Sequence, residues 1–399
     1  MKILHNASTL SHSVNELVGT RLIPAYESPS RITSILSSLT AHYSITTVPT
    51  NLPHALSAAA KVHTPAYLLH LENIFASALA SGLVDPNGCL LPECFPVSRL
   101  PLPKKSRPPK DLCARIGYYA FDMSSGIAEG TWVSAIASAD LARRGALALA
   151  AGEDETVFAL CRPPGHHCAP DLMGGYCYLN NTAIAVRTLL DVLPAGEQVS
   201  VLDLDFHHGN GTQQIFYWER NPCYVSIHGE DEYPYFSGSA GEEGEGDGEG
   251  YNLNLPIPCE DVDWEVYEPR LKEAVEKLKS VGTQWLVVSL GFDTFVGDPV
   301  GKFQLETRDY GIMGEMVGGC GWPVLVVLEG GYVIEELGRN CLEFLKGVER
   351  GRRRGKEANG NGVNGNGVNG HGVCEGEDED DEDLVMVNGV DAEEDDDER

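Results

Sequence analysis

The sequence predicts an α/β domain with a mostly parallel central sheet and helices on both faces, on two observations. Short apolar runs alternate with segments of helical periodicity, the pattern of parallel strands joined by crossover helices. Polar, glycine-bearing segments follow strand after strand, at the carboxyl ends where open α/β sheets place their ligands. In chain order, Val157 to Cys161, Val199 to Asp203, Tyr224 to His228, Trp285 to Leu290 and Pro323 to Leu328 read as buried strands. Runs near Val133 to Ala150, Thr182 to Leu190, Glu265 to Ser280 and Ile334 to Val348 read as helices. The polar segments RPPGHH, DLDFHHGNG, SIHGED, GFD and EGGY are therefore expected to converge on one site.

A chain of 399 residues can bury a sizeable core. Its apolar runs fall far short of the roughly 20 residues a membrane helix needs, and the start MKILHNASTLSHSV has no continuous apolar stretch of the secretory kind. An intracellular protein, cytoplasmic and/or nuclear, is expected, with no membrane partner. Eleven cysteines without paired CxxC spacing argue against a disulfide framework or a cysteine zinc site. The formal charge is −30, and from His371 onward fifteen acidic residues face a single Arg, so about half of the imbalance sits in a tail. An acidic chain without a basic groove excludes nucleic acid as a direct partner and favours cationic ligands.

Residues 1–350 are expected to form one catalytic domain and 351–399 a disordered tail, because an Asn/Gly-rich stretch followed by an acidic run cannot offset its ordering entropy. The basic knot Arg352, Arg353, Arg354 and Lys356 reads as a solvated helix end before it reads as a nuclear address. A second biased stretch, GEEGEGDGEG from Gly241 to Gly250, reads as a functional or mobile loop.

Asp203, Asp205 and His207 sit at i, i+2 and i+4, one face of an extended chain. Two carboxylates and an imidazole suit a divalent cation; a turn cap with mutually satisfied histidines suits the same residues equally well. Asp293 follows the apolar run WLVVSL, where an unpaired carboxylate would be costly and a metal would account for it. His166 and His167 leave a Pro-Gly turn as adjacent imidazoles, which points to proton chemistry. Tyr332 follows two glycines that permit close backbone approach, so its hydroxyl can turn back into a site.

Taken together, RPPGHH, GGYCYLNN (174–181), LDLDFHHGNGTQ (202–213), SIHGED (226–231), GYNLNLP (250–256), GFD with Asp298-Pro299, and LEGGY resemble the zinc-dependent histone deacetylase superfamily over about residues 1–348. GYYAFD (117–122), EGTW (129–132), HGE with YPYFSG (233–238) and ESPSR (27–31) resemble its acetylpolyamine amidohydrolase branch. The resemblance implies an arginase-like fold with an eight-stranded parallel sheet and one catalytic Zn²⁺ on Asp205, His207 and Asp293. It implies His167 as general base and then acid, His166 as its electrostatic support, and Tyr332 as donor to the oxyanion. Asp203 would orient His166 and help hold a K⁺ near backbone oxygens of Asp205, His207, Ser226 and Ile227, and Asn210 would partner His167. Tyr176 and Phe236 would wall the substrate tunnel beside Gly175, Glu129 and Asp122 are candidates for a distal ammonium, and His208 would be structural. The implied substrate is a small cationic N-acetylated amine, with protein acetyl-lysine as the alternative, and a homodimer is implied as an assembly.

Two competing readings carry less weight. The related arginases bind two manganese ions through additional aspartates, where this chain has Gly209 and a single Asp293. A non-catalytic scaffold would be expected to have lost at least one zinc ligand, histidine or tyrosine, and all are present.

Overall fold

The computed structural model describes residues 1–96 and 107–360, with side chains through Glu357. In chain order the elements are β1 (Lys2–His5), β2 (Asn15–Val18), β3 (Arg21–Pro24), α1 (Ser30–Leu39), β4 (Ile45–Thr47), α2 (Leu52–Ala59), α3 (Pro65–Ala80) and α4 (Leu112–Tyr118). There follow α5 (Thr131–Ala150), β5 (Thr156–Ala159), α6 (Asn181–Val192), β6 (Val199–Asp203), α7 (Asn210–Phe216), β7 (Cys223–Gly229) and β8 (Asn252–Ile257). The chain continues through α8 (Trp264–Ser280), β9 (Trp285–Leu290), α9 (Thr307–Gly319), β10 (Val324–Leu328) and α10 (Ile334–Gly360).

Eight strands form one sheet in the order β4-β1-β5-β10-β9-β6-β7-β8, every pairing parallel. The apolar runs are strands because they are buried on both faces, and the alternation of side chains assigns each residue to one of two cores. Val157, Ala159, Val199, Val201, Val287, Leu325 and Val327 face the core shared with α2, α3, α5 and α6. Their neighbours Phe158, Leu202, Leu286, Val288, Val324 and Val326 face the core shared with α1, α8, α9 and α10. Fully burying one such Val, Leu or Phe contributes about 1.5–3 kcal/mol. The sheet is therefore held from both sides, and its strand ends are fixed points.

Each of the five expected strands is present, β6 and β9 with the expected bounds. β1, β4 and β8 are the ones the apolar pattern did not show; β1 and β4 are only four and three residues long, and β8 is interrupted by Asn252, Asn254 and Pro256. A separate antiparallel pair, β2 with β3, precedes α1. The boundary expected at residue 350 falls inside α10. Arg352 extends that helix because its guanidinium donates to the carbonyls of Glu155 and Trp322, and Lys356 pairs with Glu155 at 2.7 Å. The rest of the expected tail, 361–399, lies outside the described residues. Ten cysteines lie among the described residues and all are free thiols. No helix among those residues is long and apolar enough to cross a membrane.

Candidate active site

Four strands adjacent in the sheet, β5, β10, β9 and β6, are remote in sequence, and their carboxyl ends release the chemical residues side by side. His166 and His167 follow β5, Tyr332 follows β10, Asp293 follows β9, and Asp205 and His207 follow β6. All six line one cavity of about 260 Å³.

At its floor, Asp205, His207 and Asp293 each offer a ligand atom, all within 4.8 Å of one another. His207 Nδ1 lies 3.3 Å from Asp205 Oδ1 and 3.0 Å from Asp293 Oδ2. The carboxylates are buried and fixed from behind: Gly330 N–H donates to Asp205 Oδ2 at 2.9 Å and Phe206 N–H to Asp293 Oδ1, also at 2.9 Å. Burial and the neighbouring Asp205 charge push Asp293 up to about 7, so these two carboxylates resist being ionised together. A divalent cation removes that conflict, and a set of one imidazole and two carboxylates fits Zn²⁺ or a similar ion. Gly330 has a geometric reason to be glycine, since a Cβ there would lie 2.5 Å from Asp293 Oδ2 and 2.7 Å from Asp205 Oδ2.

The tandem histidines have separate partners. His166 Nδ1 lies 3.2 Å from Asp203 Oδ2, which also accepts from the Tyr224 hydroxyl at 3.0 Å. Burial opposes charge on His166, but the Asp205 and Asp203 carboxylates outweigh it and raise its pKa to about 10. His167 Nδ1 lies 2.8 Å from Asn210 Oδ1. Burial and the flanking His166 and His207 hold His167 well below the ordinary histidine range, so it is neutral. Gly175, at φ +55°, passes so close to this ring that a Cβ would stand 2.3 Å from His167 Cδ2. His208 is buried against Ser237 Oγ (2.9 Å) and Gln213 Oε1 (3.0 Å) and takes no part in the cavity.

Tyr332 N–H donates to Asp298 Oδ2 at 2.7 Å, and the Arg31 guanidinium stands 5.0 Å from its ring centre while its Nε donates to Gly331 O at 2.7 Å. Burial raises the Tyr332 phenol well above its ordinary value, which keeps it protonated.

The opposite wall is built from loops and from β2. Tyr176 lines it, its ring 5.7 Å from that of Tyr332, and its hydroxyl donates to Glu16 Oε2 at 2.8 Å. Phe236 does not wall the cavity. It is 96 % exposed, because Tyr235 adopts φ +69° and turns the chain outward; Tyr233 stands in the wall instead, its ring 4.9 Å from His167. Glu129 is likewise exposed, two residues before α5, and is absent from the lining. Asp122 accepts from Gly175 N–H (3.0 Å) and the Tyr233 hydroxyl (2.7 Å), so it holds the wall together rather than facing a ligand. Ser226 lies in β7 in register with Asp203, and Ile227 follows it.

Three contributors were not assigned from the sequence. Glu16 carries no local signature and Tyr233 stands in the YPYFSG segment with no role assigned to it; the fold brings both to the cavity. Glu329 belongs to the conspicuous EGGY segment, yet its role is tertiary: its carboxylate accepts from Gly165 N–H (2.7 Å), His166 N–H (3.2 Å) and the hydroxyls of Thr182 and Ser289 (both 3.1 Å).

An eight-stranded parallel sheet ending in this constellation defines an α/β amide hydrolase class, and comparison with known proteins agrees. The histone deacetylase domain family matches residues 25–348, so the chain belongs to that family of hydrolytic deacetylases. It is 40% identical over 342 residues to acetylpolyamine amidohydrolase 2 of Pseudomonas aeruginosa, covering 85% of this chain and 96% of the relative. It is 39% identical over 342 residues to acetylpolyamine amidohydrolase of Mycoplana ramosa, covering 85% and 96%. The crystal structure of acetylpolyamine aminohydrolase from Burkholderia pseudomallei superposes with a TM-score of 0.79 at 32% identity, covering 88% of this chain and 99% of that one.

Proposed function

We propose that the chain removes acetyl groups from small N-acetylated amines, acetylpolyamines foremost, with one Zn²⁺ on Asp205, His207 and Asp293 and a structural K⁺ beside Asp203. The observation that carries this reading is the cavity itself: one wall holds the tandem histidines, the tyrosine and the three ligands, and the other includes the buried Glu16 carboxylate, which on this reading meets the arriving ammonium. The names of the relatives point to the same substrate class.

The bound metal would polarise the amide carbonyl and make a water nucleophilic at neutral pH. The protein's own groups do the rest. Asn210 Oδ1 accepts the Nδ1 proton of His167 and so leaves Nε2 with a free lone pair. That nitrogen takes the proton of the attacking water and hands it to the departing amine. His166, its Nδ1 3.2 Å from Asp203 Oδ2, stacks beside His167 with ring centres 4.0 Å apart and acts as its electrostatic support. Tyr332 donates its hydroxyl to the developing oxyanion, a role worth about 10²–10³ in kcat. Tyr176 and Tyr233 narrow the passage and exclude bulk water.

The test compares kcat/KM for acetylputrescine and for an acetyl-lysine peptide on zinc-loaded protein. The expected result is a higher value for acetylputrescine. A higher value for the peptide overturns the substrate class in favour of protein deacetylation, and binding of either without acetate release overturns catalysis.

A further inference from the structure

A cluster of charges that no catalytic role uses lies buried behind the site. Arg31 and Arg162 are both 0 % exposed, and a guanidinium taken fully out of water needs an anionic partner and a set of acceptors. The carbonyl acceptors differ for the two. Arg162 donates through Nη1 to Thr9 O at 2.5 Å and through Nη2 to His12 O at 2.6 Å. Arg31 donates through Nε to Gly331 O at 2.7 Å and through Nη2 to Glu329 O. The anionic partner is shared. Glu27 Oε1 accepts from Arg162 Nε at 2.8 Å and from Arg31 Nη1 at 3.1 Å, and among the described residues neither guanidinium pairs with another carboxylate.

These bonds form a chain of anchors. Thr9 and His12 fix Arg162, Arg162 fixes Glu27, Glu27 fixes Arg31, and Arg31 grips the backbone on either side of Gly330, whose N–H donates to Asp205. The same guanidinium stands 5.0 Å from the Tyr332 ring centre. Glu27 itself is buried and does not line the cavity. Burial opposes charge on Glu27, but the Arg162 and Arg31 guanidiniums outweigh it and hold its carboxyl below the ordinary range, so it is ionised. His12 completes the cluster without adding charge, because burial keeps it neutral. Its Nε2 lies 3.8 Å from Glu27 Oε2, too far for a hydrogen bond, and both atoms lack a partner. Two positive groups and one half-used carboxylate are a poor source of stability, since desolvating three ions offsets what their attraction returns. What the cluster fixes is position.

We propose that Glu27 is a positioning residue for amide hydrolysis, holding Arg31 so that the Glu329–Tyr332 segment presents the Tyr332 hydroxyl to the reacting carbonyl. The proposal rests on the function proposed above. Without the Glu27 charge, Arg31 and Arg162 face each other as like charges, and Arg31 can keep its place beside Tyr332 only against that repulsion.

The test uses Glu27→Gln, which keeps the shape and an acceptor oxygen and removes the charge, in the full zinc-loaded chain and in a Tyr332→Phe background. Glu27→Gln is expected to lower kcat for acetylputrescine about 10–100-fold, the scale of a partner one step behind the reacting groups, with KM and bound metal unchanged. In Tyr332→Phe the same change is expected to cost no more than about twofold, because residues that act as a unit are not additive. An unchanged kcat in Glu27→Gln, or an equal loss in both backgrounds, overturns the proposal. If Glu27→Gln does not fold, Glu27→Gln with Arg162→Met removes the stranded guanidinium: recovered Tm with kcat still low supports positioning, and recovery of both overturns it. If the parent releases no acetate from any acyl amine, the proposed function fails and amide hydrogen exchange decides the placement. Glu27→Gln is then expected to speed exchange at Gly330 and Tyr332, whose N–H groups donate to Asp205 and Asp298, more than within β10; equal exchange in the two proteins overturns it.

Discussion

The two walls of the catalytic cavity are made differently. One consists of the ends of β5, β10, β9 and β6, whose side chains are buried, tied to backbone N–H groups or to each other, and backed by two hydrophobic cores. The other consists of loops and the short β2–β3 pair, where the Tyr176 hydroxyl donates to Glu16 and the Tyr233 hydroxyl to Asp122. Reacting groups need positions held to fractions of an ångström, which packed strand ends provide. Selecting an amine needs only a shaped passage and a charge, which loops provide at lower cost in rigidity. On the proposed function, chemistry belongs to the first wall and choice of substrate to the second.

Substitutions can break that division, and the largest effect belongs to the strand-end wall. Asp205→Ala is expected to abolish both metal binding and turnover, read by metal analysis and acetate release; retained metal at full stoichiometry would remove Asp205 from the ligand set. Asp203→Asn is expected to keep metal and to lose about 10–100-fold in kcat, as a partner one step behind the ligands does, through His166 Nδ1 at 3.2 Å. Loss of metal without loss of rate per bound metal would invert the two roles. On the loop wall, Glu16→Gln is expected to raise KM for acetylputrescine about tenfold with little change for a neutral acyl amide, while Glu129→Ala, on the exposed surface, leaves both unchanged. Equal effects of Glu16→Gln on charged and neutral substrates would take the ammonium away from it.

The last effect is on stability, not on turnover, and comes from beneath the loop wall. Burial holds His63 and His12 down to about 4. Both are therefore neutral in the folded chain, and the unfolded chain binds the extra protons between pH 6.5 and 4. Stability is full above pH 6.5 and falls as acid is added, by about 1.4 kcal/mol per pH unit for each histidine. His63 Nε2 accepts from Asn180 N–H at 2.9 Å, so His63→Gln is expected to flatten the dependence of Tm on pH between 7 and 5. An unchanged slope would exclude His63 from it.

Legibility in the sequence follows the same division. β6 and β9 could be read to the residue because a strand buried on both faces is a continuous apolar run with a polar end. The floor residues could be read because Asp205 and His207 share one short segment and the other motifs stand directly after strands. Their convergence on one site could be read from their place after successive strands, whereas the role of each residue needed the family resemblance, and no local pattern says that β5 and β6 have two strands between them in the sheet. The loop wall was read less well. Phe236 was expected inside, and a single positive φ at Tyr235 turns it out; Glu129 was expected near an ammonium, and Glu16, with nothing around it but a short strand, is the carboxylate that arrives. Conformation at one residue and contact across 160 residues are both invisible to a periodicity.

Glu329 gives the site a property that neither wall has alone. Its carboxylate grips the Gly165–His166 backbone, and its own carbonyl, together with that of Gly331, is gripped by Arg31. The loop that manages protons and the loop that carries the phenol are thus clasped to one another behind the reaction centre. The spacing between the His166–His167 loop and the Tyr332 loop is bridged by a single side chain, much as the gap of a caliper is held by its lock. If the chain acts on acyl amines as proposed, a longer acyl group is accommodated among the ring-lined loops and not by parting these two jaws.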